Sequence, residues 1–72
     1  MTRLEALKWC YENIGEPDKS KTKEEVISAI GVMYLEELCH IGFVLQWYDW
    51  SSDCHRFHLT WLGNVYCEEI FN

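Results

Sequence analysis

Three consecutive segments decide the fold: Phe43-Val44-Leu45-Gln46-Trp47-Tyr48, Asp49-Trp50-Ser51-Ser52-Asp53 and Cys54-His55-Arg56-Phe57-His58-Leu59. The first segment is rich in the β-branched and aromatic residues that favour strands. The second consists mostly of turn-forming residues, and the third alternates between two sets of side chains at the period of a strand. The sequence therefore predicts a β-hairpin near residues 43–59, with His55, Phe57 and Leu59 on one face.

Helical periodicity lies on both sides of this hairpin. Before it, Thr22-Lys23-Glu24-Glu25 has the form of a capping box, so that a helix begins at Lys23. We favour a break at Gly31 over one long helix, because glycine inside a helix costs about 1 kcal/mol relative to alanine. The polar segment 16–21, which contains the only proline, is predicted to be a surface loop. The predicted helices lie near residues 2–15, 23–30, 32–41 and 60–71.

The last of these helices follows Thr60, which is a suitable N-cap. Its apolar residues are expected to form one buried stripe, whereas Glu68 and Glu69 are expected to face water. The stripe consists of Leu62, Val65, Tyr66 and Ile70.

Two motifs resemble those of winged helix-turn-helix proteins. The stretch 35–44, LEELCHIGFV, resembles the L-x-x-L-x-x-x-G-L-V signature that joins the third helix to the first wing strand. The stretch 56–63, RFHLTWLG, resembles the segment where the second wing strand enters the last helix of MarR-like and PadR-like proteins. Its Leu-Thr-Trp-x-Gly variant is similar to small winged-helix proteins of bacteriophages and prophages. The resemblance implies a compact α+β winged helix-like domain over residues 1–72 and a phage origin.

The charges depart from what this resemblance implies about DNA binding. The third helix of a DNA-binding winged helix carries polar and basic residues where it enters the major groove. Here only three residues separate Gly31 from Leu35, and the solvent face of the helix offers Glu36, Glu37 and His40. Like charges at a phosphate backbone lower affinity. The motifs therefore favour a DNA-binding fold, whereas the charges oppose DNA as the ligand.

Composition narrows the function classes. The chain has 72 residues, twelve Asp and Glu against six Lys and Arg, and a formal net charge of −6. A domain of this size leaves little room for a cofactor fold, and no phosphate loop or paired-carboxylate motif is present. We therefore expect no enzymatic activity and no cofactor. The acidic balance makes nucleic acid an unfavourable ligand, because basic side chains supply most of the affinity for phosphates.

The sequence also indicates the cellular compartment and the state of the cysteines. No apolar run is long enough to span a membrane, and Glu5 stands where a signal peptide would have its apolar core, so we expect a cytoplasmic protein. Free thiols are expected rather than disulfides.

The Cys54-His55-x-x-His58 pattern suggests zinc ligands. Because strand geometry sends His55 to the opposite face from Cys54 and His58, we favour the absence of a metal site.

The first functional hypothesis is a non-enzymatic protein-interaction module. Four Trp are more than so small a core can bury, and exposed aromatics rimmed by charge are typical anchors of protein interfaces. In this hypothesis the protein is a phage-encoded inhibitor of a host defence system such as CRISPR. Its carboxylates would bind a basic, nucleic-acid-binding host protein where phosphates would otherwise lie. The predicted partner-binding residues are Trp47, Trp50, Trp61, Glu36, Glu37, Asp49 and Asp53.

Two alternatives remain. One is a small winged-helix transcriptional regulator, which would have to dimerise because it has few basic residues. Its phosphate contacts would come from Lys19, Lys21, Lys23 and Arg56. The other is a homo-oligomer with a structural role, whose homodimer interface would lie around the hairpin.

Overall fold

Four α-helices and a three-stranded antiparallel sheet make up the chain in a computed structural model that describes every residue from 1 to 72. None of the helices combines the length and the apolar character needed to cross a membrane. In chain order the elements are α1 (Arg3–Asn13), a 3₁₀ turn (Pro17–Lys19), β1 (Lys21–Thr22), α2 (Lys23–Ile30), α3 (Val32–His40), β2 (Val44–Asp49), β3 (Cys54–Leu59) and α4 (Trp61–Phe71). The predicted α+β class, its four helices and its hairpin are confirmed, with small differences at the helix ends.

The break between α2 and α3 is made by Gly31, as expected. Its backbone has φ 88° and ψ 155°, a region that essentially only glycine occupies. The Gly31 N–H closes α2 by donating to the Ile27 carbonyl at 2.8 Å. At the other end of α2, Thr22 and Glu25 form the predicted capping box.

The sheet has the order β1-β3-β2, so β3 lies in the centre. Strand β1 departs from the prediction of a surface loop over residues 16–21. This strand is only two residues long, and Lys21 pairs with Phe57. Ser20, just before it, is buried. A segment this short and polar carries no strand pattern of its own, and its conformation is decided by the neighbouring strand.

The hydrophobic core lies between the helices and the inner face of the sheet. It unites twelve buried residues from all four helices and from β2 and β3, with Ile14 from the loop after α1. Ile14, Val26, Leu38 and Leu59 are among the largest fully buried side chains. These residues carry the apolar periodicity that predicts the helices and the hairpin.

Helix α4 packs differently from the prediction. Its expected stripe is wrong at three of its four positions, because Leu62, Tyr66 and Ile70 are 49%, 43% and 41% exposed. The fully buried side of α4 is instead formed by Gly63 and Cys67. Helix α4 lies so close to the sheet that a Cβ on Gly63 would be 2.5 Å from the Phe43 carbonyl oxygen. Only small residues therefore fit on this side of the helix.

The N-cap of α4 explains this close approach. The Thr60 hydroxyl accepts the N–H of Gly63 at 3.1 Å and donates to the Gly42 carbonyl at 2.7 Å. One side chain thus caps the helix and ties it to the turn before β2. The Leu-Thr-Trp-x-Gly motif therefore has a physical basis in this chain, since the Thr positions the helix and the Gly permits the contact.

Candidate protein-interaction surface

The hairpin presents two faces, as its alternation predicts. The register pairs Leu45 with His58 and Trp47 with Arg56, and these four residues lie on the face that points away from the helices. Leu45 is 48% exposed and Trp47 is 36% exposed on this outer face. Apolar side chains therefore cover part of the sheet surface that no helix protects.

Trp61 extends this apolar surface beyond the strands. It is the first residue of α4 and is 79% exposed. Trp61 and Leu45 line a concave site of about 540 Å³ between the outer face of β2, the start of α4 and the loop after α1. We call this concavity the outer site. It is also lined by His58, Glu16, Asn64 and Glu68.

The polar wall of the outer site is held by Asn64. Its side-chain amide donates to the Gly15 carbonyl at 2.7 Å and to the Thr60 carbonyl at 3.2 Å. These bonds join α4 to the loop that carries Glu16. The Glu68 carboxylate lies one turn further along α4 and has no ion-pair partner, while Glu16 lies 4.0 Å from Lys19 in an exposed pair. Exposed pairs of this kind contribute little, so both carboxylates are open to an incoming cation.

His58 is a buried polar residue that lines the outer site. Its side chain is nine-tenths buried, and its Nδ1 atom is enclosed without a hydrogen-bond partner. Burial lowers the pKa of the imidazole below its ordinary value, so the ring is neutral at pH 7. An unpartnered buried polar atom is unfavourable and uncommon in folded proteins. Sequence reasoning assigned His58 no binding role, and its pattern signalled only a metal ligand.

The predicted binding residues of the turn are separate from the outer site. Trp50 is 87% exposed, and its ring makes an edge-to-face contact with Tyr48 at 4.8 Å between centroids. It lies at the tip of the hairpin, about 20 Å along the strands from Trp61. Asp53 is exposed in the same turn, with φ 53°.

Asp49 shapes this turn. Its carboxylate accepts bonds from the backbone and hydroxyl of Ser51 and from the hydroxyl of Ser52. The bonds from Ser51 and Ser52 lower the pKa of Asp49. The Asp49 carboxylate, which is predicted to bind a partner, therefore already accepts hydrogen bonds from its own chain.

The two adjacent glutamates of α3 point to different neighbours. Glu37 forms an ion pair with Arg3 of α1. Glu36 is exposed and lines a separate groove of about 430 Å³ between α3 and the inner face of the sheet, together with Lys23 and Gln46. They therefore do not form one acidic patch, nor do they lie with the aromatic residues of the outer site.

The basic residues of the alternative hypothesis are also dispersed. Arg56 is engaged inside the chain, because its guanidinium donates to the Ser20 hydroxyl at 3.0 Å and to the Ser20 carbonyl at 2.6 Å. Lys19 faces Glu16, and Lys23 lies in the groove with Glu36. Lys21 is half-buried in β1. The structure brings together no cluster of unpaired cations from this set.

The cysteines are free thiols, and no three metal-ligating side chains converge. Cys10 and Cys67 are buried in the core. Burial raises the pKa of the Cys10 thiol to about 12 and that of Cys67 to about 11. Both thiols therefore remain protonated at neutral pH, which is typical of structural rather than nucleophilic cysteines.

The chain matches no known protein-family model, no characterised protein and no solved structure.

Proposed function

We propose that this chain is a non-enzymatic protein-interaction module that binds its partner through the outer site. The observation that carries the proposal is the juxtaposition of the exposed Trp61 ring with the carboxylates of Glu16 and Glu68 above an apolar wall. A large ring beside charge in a concavity is typical of interface anchors.

The chemistry of the outer site favours a Lys or Arg side chain as the group bound. Glu16 and Glu68 supply negative charge, and the face of Trp61 attracts a cation through its quadrupole. Leu45 offers apolar surface to the methylene stem of such a side chain. With a net charge of −6 on the whole chain, association with a basic protein is also accelerated electrostatically.

We further propose that the partner is a nucleic-acid-binding protein and that binding inhibits it. An acidic domain that engages the Lys and Arg side chains of such a protein competes with phosphates for them. The element order, with a hairpin between α3 and α4 and a short strand before α2, supports the finer assignment to a winged helix. The sequence resemblance then supports a phage-encoded inhibitor that acts on a host defence protein.

The test is a capture experiment with nuclease-treated bacterial lysate, comparing wild type with Trp61→Ala. Trp50→Ala is the matched control, because it removes an equally exposed ring at the other end of the hairpin. We expect a nucleic-acid-binding protein to be retained by wild type and by Trp50→Ala and lost with Trp61→Ala. Retention by all three proteins would contradict the outer site as the contact surface.

A second measurement tests the role of charge with the captured protein. Glu16→Gln and Glu68→Gln are expected to weaken binding and to flatten its salt dependence, since each removes one charge that faces the cation. Glu36→Gln, on the other side of the sheet, is the control for net charge alone. Equal effects of all three variants would show that the interaction is long-range and not localised. Binding of duplex DNA by the purified protein would favour the regulator instead.

A further inference from the structure

The strand β2 forms a long and unprotected edge of the sheet. The order β1-β3-β2 leaves β1 and β2 at the edges, but β1 has only two residues and leads directly into α2. Strand β2 has six residues, contains neither proline nor lysine, and carries one charge, at its last residue Asp49. Natural edge strands usually carry such protective residues, because an open edge is a template for another strand.

The hydrogen bonds of the hairpin identify the backbone groups that point outward. The Thr60 N–H donates to the Phe43 carbonyl at 2.9 Å. The N–H of the preceding residue, Leu59, points away from β2 and donates to the Ile14 carbonyl at 2.8 Å. Bonded and non-bonded pairs alternate along an antiparallel ladder, so every second residue of β2 directs its N–H and C=O away from β3. These outward residues are Val44, Gln46 and Tyr48.

We propose that a second copy of this chain occupies this edge, with the two β2 strands antiparallel about a two-fold axis at Gln46. In this register Gln46 lies opposite Gln46, and Val44 lies opposite Tyr48 of the second copy. All three outward residues of both strands then form backbone bonds. The result is a continuous six-stranded sheet across the two copies.

The same register is self-complementary in its side chains. On the outer face it sets Leu45 of each copy opposite Trp47 of the other, so that both side chains bury apolar surface that is exposed in the single chain. Both residues are exposed in the single chain, at 48% and 36%. The inner face pairs a β-branched residue, Val44, with an aromatic one, Tyr48.

The contact between the two β2 strands, which we call the seam, adds no charge repulsion of its own to the net charge of −6 on each chain. Between Val44 and Tyr48 the strand carries no charge, so no carboxylates oppose each other at the seam. Asp49 lies beyond it, and its carboxylate is turned toward Ser51 and Ser52.

The exposed tip of the hairpin adds contact area. Beyond the ends of the strands, this register brings the turn that carries Trp50 near the turn before β2 of the second copy, where Ile41 is 45% exposed. With about 250 Å² for a fully exposed tryptophan, Trp47 and Trp50 offer about 300 Å² in each copy. Leu45 and the strand backbone bring the total for both copies to about 1,000 Å², the lower limit of specific interfaces. We therefore expect a weak dimer, with a dissociation constant in the micromolar range.

The decisive variant is Gln46→Pro. It removes the outward N–H on which the seam depends, and proline is tolerated at an edge-strand position whose N–H faces solvent. Gln46→Ala is the matched control, because it also loses the bond of 2.8 Å between Gln46 and His55 but keeps the N–H. Sedimentation equilibrium distinguishes the 8.6 kDa monomer from a species of twice that mass.

We expect wild type and Gln46→Ala to dimerise and Gln46→Pro to dimerise at least tenfold more weakly, because two seam hydrogen bonds are lost. In wild type, amide hydrogen exchange at Gln46 and Tyr48 is expected to slow as protein concentration rises. This second measurement decides the matter if Gln46→Pro does not fold. A wild type that stays monomeric at millimolar concentration would overturn the proposal, as would a dimer whose Gln46 and Tyr48 amides exchange at the monomer rate. The proposed function would stand in either case, because the outer site is complete within one chain.

Discussion

The close approach of Gly63 to the Phe43 carbonyl makes Gly63→Ala a stringent test of the structure. A Cβ at this position would lie 2.5 Å from the Phe43 oxygen and 2.9 Å from a Leu59 methyl group. Because the nearest atom belongs to the backbone, α4 must move as a whole. Overpacking of this kind costs about 1 to 3 kcal/mol, and the better helix propensity of alanine returns about 1 kcal/mol.

A backbone oxygen at 2.5 Å cannot turn aside as a side chain could, so the overpacking cost falls in the upper part of this range, about 2 to 3 kcal/mol. We therefore expect Gly63→Ala to lower the free energy of unfolding by about 1 to 2 kcal/mol. For a domain of this size the melting temperature would fall by about 5 to 15 °C. The assay is urea unfolding followed by tryptophan fluorescence, supported by thermal melting. Glu69→Ala is the matched control, because Glu69 is exposed on the same helix and its change is expected to stay within about 0.5 kcal/mol. Unchanged stability of Gly63→Ala would refute the close packing of α4 on the turn before β2.

Three further predictions concern the contacts that hold the surface in place. Arg56→Ala is expected to cost about 2 kcal/mol in urea unfolding, because it leaves the half-buried bonds to Ser20 unmade, and Arg56→Lys should not restore the loss since lysine lacks the guanidinium fork. Thr60→Val is expected to cost about 1 kcal/mol through loss of the α4 cap and of the bond to Gly42, and a melting temperature equal to wild type would contradict that role. The pKa of His58 is lower in the folded protein than in the unfolded chain, so the unfolded chain takes up a proton first as the pH falls. We therefore expect the free energy of unfolding to decrease from about pH 6.5 downward until the pKa of the folded protein is reached. This pH-dependent component should be absent in His58→Leu.

Much of the candidate surface follows from local sequence. The exposure of Trp61 and Trp50 is anticipated by the excess of aromatic residues over what a small core can bury. The loss of Asp49 as a free charge was not anticipated, although its signal is local, since Asp followed by two serines favours a turn closed by the carboxylate.

Other parts of the surface depend on contacts between residues far apart in the chain. Nothing near Glu37 in the sequence indicates its ion pair with Arg3, and nothing near Arg56 indicates its bonds to Ser20. The outer site joins Glu16 to residues of α4 through the Asn64 bond to Gly15, across 49 positions. Which distant side chains come together is decided by how the helices and strands pack against each other. The hydrophobic periodicity of the sequence does not contain this information.

The amino-acid sequence by itself determined the α+β class, the capping box at Thr22, the break at Gly31 and the alternation of the hairpin, because each depends on side chains within a few positions of one another. The tertiary structure alone decided which face of α4 is buried and which charges remain free. Helix α4 has apolar residues around most of its circumference, so its pattern leaves more than one way to pack. The close approach at Gly63 selects one of them, because only there can the helix backbone reach the turn before β2.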